Sequence, residues 1–418
     1  RNQEAIDALE AFIKSYPSHP RWTEAWEDKS FLEWAVQGTY QAGVKTLLDF
    51  VAAVPNSNQS PSYLMTAARV TERNNRLHEA VQIWERVASE YPASEQVADA
   101  LHLASITRYR LGDFSGALIV FQRGLLLAIL PEDRARALLW IGKTQQQLGD
   151  DAAARETWQQ AQGINSRGYY SIRAHDLILG EAPFGKPVTI IEADLAEERK
   201  NAEAWMRITF NLPAETDFNG PGALAGDPRF VRGTELWELG MYDEARLEFE
   251  ALRESVSNNA VESFRLANYL QAIGLYRSAI FAAREALSLA GLESQSASLT
   301  APPYFNRIRY GFYYRDLVMT ESQNFGFDPV FVYSVIRQES LFEGFVKSNA
   351  GAHGLMQIVA PTGAQIASEL GWPSNYKEQD LYRPNVSIRY GTYYLEDNLD
   401  LLGGNYYAAL AAYNGGPG

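Results

Sequence analysis

A short cassette that recurs along the first 295 residues constrains the fold more than any other feature of this sequence. Each copy ends in a small residue, and the five alanines at that position are Ala80, Ala117, Ala154, Ala245 and Ala279. The first three are 37 residues apart and the last two are 34 apart. In four copies a Gly precedes the turn, where it ends a helix in the left-handed conformation at little cost, and the Ala lets the next helix pack closely.

The segment that carries the cassettes is rich in Ala, Leu, Glu, Arg and Gln, with apolar residues at helical spacing. This composition predicts one α-helix after another. A period of 34 to 37 residues is typical of helical hairpins that stack into a solenoid of the tetratricopeptide kind. We therefore interpret residues 1–295 as an α-helical superhelical domain of this type.

Breaks in the pattern predict the domain organisation. The period is lost between residues 186 and 227, where Phe184-Gly185-Lys186-Pro187 and Asn219-Gly220-Pro221-Gly222 are helix breakers. Residues 296–303 are small and polar and end in Pro302-Pro303, as linkers do. We expect a second, compact domain over residues 304–418.

The composition excludes several functional classes. Without Cys, the chain has no thiol nucleophile, thiolate zinc site or iron–sulfur cluster. Its 37 basic and 51 acidic residues give a net charge of −14, which repels polyanions, so no nucleic-acid partner is expected. The apolar stretch from Ala117 to Leu130 is shorter than the ~20 residues of a membrane helix and contains Gln122 and Arg123, so we expect no transmembrane segment.

The histidines are scattered and have no metal-ligand spacing, so we expect neither a metal nor another cofactor. They are His19, His78, His102, His175 and His353.

Glu339 is the clearest candidate for chemistry. Asp328-Pro329 is a helix-start signal and predicts a helix over residues 330–341. Helical spacing places Glu339 on the same stripe as Val332, Val335 and Ile336. Burial there would raise the pKa of the carboxyl, as a general acid near neutral pH requires. From spacing alone, a glutamate that bends to solvent or pairs with a base stays open as the alternative.

Three segments of the tail carry a resemblance to a known family. They are Glu339-Ser340-Leu341-Phe342, Gly354-Leu355-Met356-Gln357-Ile358 and Ala412-Tyr413-Asn414-Gly415-Gly416-Pro417-Gly418. In this order they resemble the soluble lytic transglycosylase family, and Asp380-Leu381-Tyr382 with the residues up to Leu395 resembles its intervening block. The preceding helical repeats match the domain order of the family's large periplasmic members.

The resemblance implies a fold and a set of site residues. The fold is all-α, a tetratricopeptide-like superhelix followed by a lysozyme-like domain, which we expect to be incomplete at its C-terminus because the family continues beyond the last motif. Glu339 is implied as the catalytic acid. The implied substrate-binding residues are Ser348, Met356, Gln357, Tyr413 and Asn414. The chain departs from the family pattern at Val346, Val359 and Pro361.

The implied reaction is cleavage of the β-1,4 bond between N-acetylmuramic acid and N-acetylglucosamine, with formation of a 1,6-anhydro product by a single carboxyl. Glycoside hydrolysis ordinarily needs a second carboxylate. Glu343 is the other acid near the motif, and its position before Gly344 predicts an exposed, frayed helix end. A hydrolytic muramidase and a non-catalytic peptidoglycan-binding scaffold stay open as alternatives.

The resemblance also implies a location and partners. A peptidoglycan substrate implies the periplasm or cell envelope, although no export signal is visible at Arg1. Glycan strands are the expected partner of the tail, and the solenoid offers a surface for cell-wall proteins.

Overall fold

The computed structural model describes residues 2–165, 167–184, 190 and 193–417, and the side chains of all of these except residues 295 and 296. The chain forms two compact units, Arg1–Pro183 and Phe184–Gly418. Both are built almost entirely of α-helices, which confirms the predicted all-α class. In the described part of the chain, no helix combines the length and apolar character needed to cross a lipid bilayer.

The first unit is a succession of helices in which each packs against the next. They are α1 (Asn2–Ser15), α2 (Trp22–Phe31), a π-helical turn (Leu32–Val36), α3 (Tyr40–Ala53), α4 (Ser60–Arg73), α5 (Leu77–Glu90), α6 (Val97–Arg110), α7 (Phe114–Leu127), α8 (Pro131–Gln147), α9 (Asp151–Ile164) and α10 (Tyr169–Leu179).

The repeated cassettes lie at the turns between these helices, as predicted. Ala80, Ala117 and Ala154 are completely buried, each in the first turns of a helix. Gly112 and Gly149 are left-handed, with φ of +76° and +83°. The repeat therefore marks the points where the chain reverses and two helices meet most closely.

The second unit continues with helices of the same kind and ends in a smaller, mixed arrangement. It contains α11 (Leu195–Thr209), a 3₁₀ turn (Gly222–Gly226), α12 (Pro228–Glu238), α13 (Tyr242–Val256), α14 (Ala260–Ile273), α15 (Tyr276–Leu289), α16 (Gln295–Ser298), α17 (Pro303–Arg309), α18 (Arg315–Asn324), α19 (Pro329–Ser340), β1 (Ala352–His353), β2 (Ile358–Val359), α20 (Ala360–Leu370), a second 3₁₀ turn (Glu378–Tyr382), α21 (Pro384–Leu401) and α22 (Tyr406–Gly415). The strands pair antiparallel, with Ala352 opposite Val359 and His353 opposite Ile358.

Two features bear on the predicted boundaries. Of the segment 186–227, residues 186–189, 191 and 192 lie outside the described residues, whereas α11 and the first 3₁₀ turn fall within it. In the segment assigned to a linker, Ser298 and Ala301 are buried, and Ala301 belongs to the core formed by α11–α15 and α17. The domain boundary at 296–303 stays a prediction.

Candidate active site

Helix α19 carries Glu339 close to its C-terminal end. The Asp328 carboxylate caps the helix by accepting a hydrogen bond from the Val330 amide at 2.7 Å, and Pro329 is its first residue. Phe331, Val332, Val335 and Ile336 are buried along the helix. The predicted helix is thereby confirmed, and it holds Glu339 at a partly buried position.

The chain turns sharply after Glu339. Leu341 and Phe342 both have left-handed backbones, with φ of +51° and +66°, a conformation that costs a residue with a side chain about 1 kcal/mol or more. Phe342 is 1% exposed, and its ring packs edge-on against Tyr313 with centroids 5.1 Å apart. The burial of this side chain offsets the backbone strain.

This turn carries Glu343 inward, so the prediction of an exposed helix end is wrong. Glu343 is 2% exposed. One carboxylate oxygen is 3.2 Å from Arg277 Nη1 on α15, and the other is 3.7 Å from Arg246 Nε on α13. Two arginines from helices far earlier in the chain are therefore the countercharges of Glu343, although its burial still raises the pKa of the carboxyl.

The hairpin that follows is organised by its own side chains. Ser348 Oγ accepts a hydrogen bond from the Ala352 amide at 3.0 Å and closes the turn that contains Gly351. Gln357 has a left-handed backbone, and its side-chain amide donates to the Gly354 carbonyl at 2.9 Å. Both polar side chains thus fix the shape of the loop and remain partly buried.

Three helices hold the segment Gly354–Met356 by one hydrogen bond each. Ser340 Oγ, on α19, donates to the Leu355 carbonyl at 2.8 Å. Ser387 Oγ, on α21, accepts from the Met356 amide at 3.1 Å. Tyr413 Oη, on α22, donates to the Met356 carbonyl at 2.6 Å. The three sequence motifs therefore meet at one stretch of backbone.

Two glycines allow neighbouring parts of the chain to approach the Gly354–Met356 segment closely. A Cβ on Gly354, where φ is +73°, would lie 2.1 Å from the Leu381 carbonyl oxygen. A Cβ on Gly391, in α21, would lie 2.4 Å from the sulfur of Met356. The Met356 side chain is consequently 0% exposed, and its contribution to the site comes through its carbonyl.

A cavity of about 1020 Å³ opens beside Glu339. Its lining combines apolar rings with a few polar groups, as is usual for a ligand site. The lining residues are Phe184, Gly326, Phe327, Asp328, Pro329, Val330, Phe331, Ser334, Val335, Gln338, Glu339, Tyr406, Leu410, Tyr413 and Asn414. In the described part of the chain, no group of three or more His, Asp or Glu side chains is arranged to hold a metal ion.

Two groups that line the cavity, Glu339 and Tyr413, have raised pKa values. Burial raises the pKa of the Glu339 carboxyl above its ordinary value. Burial, together with the negative charge of Glu339, raises the pKa of the Tyr413 phenol well above its ordinary value. Tyr413 therefore stays a neutral donor, while Glu339 has the raised proton affinity expected of a general acid.

The raised pKa of Glu339 predicts how the free energy of unfolding depends on pH. The folded state binds this proton more tightly than the unfolded state, so the contribution of Glu339 to the free energy of unfolding falls as pH rises from about 4.5 through the raised folded pKa. We expect Glu339→Gln to remove this fall and to exceed the wild type in stability above that window, by less than about 1 kcal/mol because the group is partly solvated. Chemical denaturation across pH measures the difference.

The exposed carboxylate Glu238, at the end of α12, provides the control. Glu238→Gln should leave the fall with pH in place. If Glu339→Gln showed the same pH dependence as the wild type, the burial of its carboxyl would not be the cause.

The structure brings some of the predicted site residues together and separates others. Glu339, Tyr413 and Asn414 line one cavity. Ser348 and Gln357 lie in the adjoining hairpin and are not part of that lining, and Met356 is buried beneath it. Their assignment as substrate contacts stays a prediction.

Sequence reasoning missed several residues of the lining. Ser334 and Gln338 lie one turn apart on the same face of α19, but neither is three or four residues from Glu339, so helical spacing from Glu339 would not have found them. Phe184 stacks on Tyr406 with ring centroids 5.1 Å apart. No local pattern connects Phe184 with residues so much later in the chain.

Known protein families match the part of the chain that contains Glu339 and one of the helical repeats before it. Residues 316–418 match the family described as transglycosylase SLT domain, and residues 136–163 match tetratricopeptide repeat. The soluble lytic murein transglycosylase of Salmonella typhimurium is 34% identical over 110 residues, which is 26% of this chain and 17% of that protein. A putative soluble lytic murein transglycosylase of Haemophilus influenzae is 26% identical over 207 residues, 49% of this chain and 32% of that protein.

Solved structures share the fold of the whole chain. The lytic transglycosylase Slt of Pseudomonas aeruginosa, solved as an inactive mutant, aligns with a TM-score of 0.57 at 18% identity, over 100% of this chain and 61% of that one. The 70 kDa soluble lytic transglycosylase of Escherichia coli aligns with a TM-score of 0.53 at 18% identity, over 100% of this chain and 65% of that one.

The tail of the chain is thus an SLT-type transglycosylase domain. The match to the SLT domain and to the soluble lytic murein transglycosylases supports the soluble lytic transglycosylase family for this part of the chain, and helical repeats precede it. The chain spans less than two thirds of the length of the relatives and structures it matches.

Proposed function

We propose that this protein is a lytic transglycosylase that cleaves the β-1,4 bond between N-acetylmuramic acid and N-acetylglucosamine in peptidoglycan. The observation that carries the proposal is Glu339, a partly buried carboxyl of raised pKa in a large cavity of the SLT domain. The names of the relatives, which are murein transglycosylases, support the same substrate.

In the proposed mechanism Glu339 acts twice. Its proton passes to the glycosidic oxygen as the bond from that oxygen to C1 of the muramic acid breaks. The Glu339 carboxylate then takes the proton of the C6 hydroxyl of the same sugar as the C6 oxygen bonds to C1. The product is a 1,6-anhydro sugar, and no water is consumed.

The positions of the other acids favour this mechanism over hydrolysis. A hydrolase needs a second carboxylate about 5 Å from the acid, or roughly 6.5 to 9.5 Å if it inverts. Asp328 lines the cavity but lies eleven residues before Glu339 at the other end of α19, about 16 Å away along the axis. Glu343 is buried against Arg277 and Arg246. Neither acid is positioned to activate water beside Glu339.

We further propose that Tyr413 and Asn414 contact the sugar at the cleavage point, with Ser348 and Gln357 at the adjoining hairpin. Tyr413 supports this assignment because it lines the cavity together with Glu339, and its ring is held in place by the hydrogen bond from its hydroxyl to the Met356 carbonyl. A peptidoglycan substrate would place the protein in the periplasm or cell envelope, where the solenoid would have access to cell-wall proteins.

Mass spectrometry of the muropeptides released from purified peptidoglycan tests the proposal. We expect products lighter by one water than reducing-end muropeptides. Reducing-end products would mean a muramidase, and the absence of any product from a folded protein that still binds glycan would mean a binding scaffold.

A further inference from the structure

Aromatic rings from three separate segments form a connected cluster in the second unit, which we call the aromatic platform. Its members are Phe184, Phe327, Phe331, Tyr406 and Tyr407. Phe331 packs edge-on against both Phe184 and Tyr406, with ring centroids 5.4 and 5.1 Å apart. All of the platform except Tyr407 also lines the Glu339 cavity, so the cluster forms part of the cavity wall.

The platform has a buried part and an exposed part. Phe327 and Phe331 are each 7% exposed and belong to the core around α19. Phe184 and Tyr407, in contrast, are 47% and 43% exposed. Neighbouring apolar rings that stay open to solvent in the wall of a cavity are typical of a ligand-binding surface, so the exposed part of the platform is suited to a bound ligand.

Phe184 comes from outside the SLT domain, whose family match begins at residue 316. Its backbone is left-handed, with φ of +61°, which costs a residue with a side chain about 1 kcal/mol or more. Its ring stacks on Tyr406, with centroids 5.1 Å apart and planes inclined by 30°, and these contacts offset the backbone strain. A residue that precedes α11 therefore completes the wall of the SLT-domain cavity.

Helix α19 connects the platform with Glu339. Phe331 and Glu339 are eight residues apart on this helix, which corresponds to about 12 Å along its axis. Ser334 and Gln338 lie between them in sequence, are exposed and line the same cavity. Their hydroxyl and amide groups can form hydrogen bonds with a ligand that extends along the helix. The cavity thus has an aromatic end, a polar middle and an acidic end.

We propose that the aromatic platform is a sugar subsite in which a ring of the glycan strand, remote from the bond at Glu339, stacks on Phe184 and Tyr406. This subsite rests on the proposed function and extends it. The faces of a pyranose ring carry C–H bonds and its edge carries hydroxyls, which match an aromatic surface that continues into hydroxyl and amide groups. A strand that occupies both ends of the cavity would lie along α19.

Isothermal titration calorimetry with glycan strands freed of their stem peptides tests the proposal. The Glu339→Gln protein is the parent, since it is expected to bind the strand without cleaving it. We expect Phe184→Ala in this parent to raise the Kd roughly three- to tenfold, the worth of one aromatic stacking contact. Phe184→Trp keeps an aromatic face and should bind nearly as tightly as the parent, whereas Phe184→Leu should bind as weakly as Phe184→Ala.

Kinetics with the Glu339 carboxyl intact provide a second readout. Phe184→Ala should raise KM by more than it lowers kcat, because the platform is remote from the reacting atoms. Failure of the proposed function would appear as a folded protein without Phe184 replaced that releases no muropeptides. Failure of the subsite alone would appear as an active protein in which Phe184→Ala changes neither KM nor Kd.

Phe31→Ala is the matched control. Phe31 ends α2 in the first unit, is 52% exposed and packs edge-on against Trp34 with centroids 5.7 Å apart. Its replacement should leave the Kd unchanged. If Phe184→Ala fails to fold, the comparison of Phe184→Leu with Phe184→Trp decides the test. Equal binding by these two variants would overturn the proposal, as would tighter binding by Phe184→Ala, which would mean that the Phe184 ring obstructs the cavity.

Discussion

Replacing Glu339 with Gln is expected to lower the rate of glycosidic cleavage by at least roughly a thousandfold, with the fold and glycan binding retained. One proton transfer by a positioned acid or base contributes about 10² to 10⁴ in rate, and the proposed mechanism uses the same carboxyl for two transfers. The amide has nearly the shape of the acid but cannot give or take the proton. Quantifying released muropeptides by mass spectrometry, alongside a glycan pull-down, measures both parts of the expectation.

Asp328→Asn is the control for this prediction, because Asp328 lines the same cavity and caps the same helix. Asn caps a helix about as well as Asp, so the fold should be preserved while one carboxylate is removed. We expect its activity to stay within a few-fold of the wild type. A loss in Asp328→Asn as large as that in Glu339→Gln would contradict a single-carboxyl mechanism.

Gly354→Ala is expected to destabilise the protein by about 3 kcal/mol. The change adds the cost of a left-handed backbone to a Cβ only 2.1 Å from the Leu381 carbonyl oxygen, which cannot be relieved by a side-chain rotation. Relief requires a backbone shift, either of the Gly354–Met356 segment away from its hydrogen-bond partners or of the 3₁₀ turn that carries Leu381. Urea denaturation measures the free energy of unfolding, and activity should fall together with it.

Gly351→Ala separates the two costs. Gly351 lies in the same hairpin with φ of +80°, but a Cβ there would have no atom within 4 Å. We expect a loss of about 1 kcal/mol, from the backbone conformation alone. Equal losses in the two variants would mean that the contact with Leu381 does not constrain the hairpin.

Local signals explain what could be predicted from the sequence. Asp328-Pro329 and the apolar stripe specify α19 within a dozen residues, and they correctly place Glu339 on a partly buried face. The cassette alanines are predictable for the same reason, because a turn and a close helix contact are encoded within each repeat. Ala245 and Ala279, in the second unit, are fully buried like those of the first.

The features that could not be predicted depend on residues distant in sequence. The burial of Glu343 requires the left-handed Leu341 and Phe342, and neither residue type favours that conformation. It also requires Arg246 and Arg277, which precede Glu343 by several helices. The aromatic contact of Phe184 with Tyr406 depends on tertiary structure in the same way.

The ion pairs of Glu343 have a consequence for how this protein can be divided. The block recognisable by common descent begins at residue 316, yet the countercharges of Glu343 are on α13 and α15, outside that block. The Tyr276 ring, also on α15, stacks on Tyr313 at 3.8 Å. An excised or transplanted block would lose both cations of Glu343 together with the helices packed against it, and would expose the surface that those helices cover. The segment inherited as a module is therefore smaller than the segment that must stay together as a cooperative folding unit. A recombination point that preserves the folding unit belongs upstream of α13.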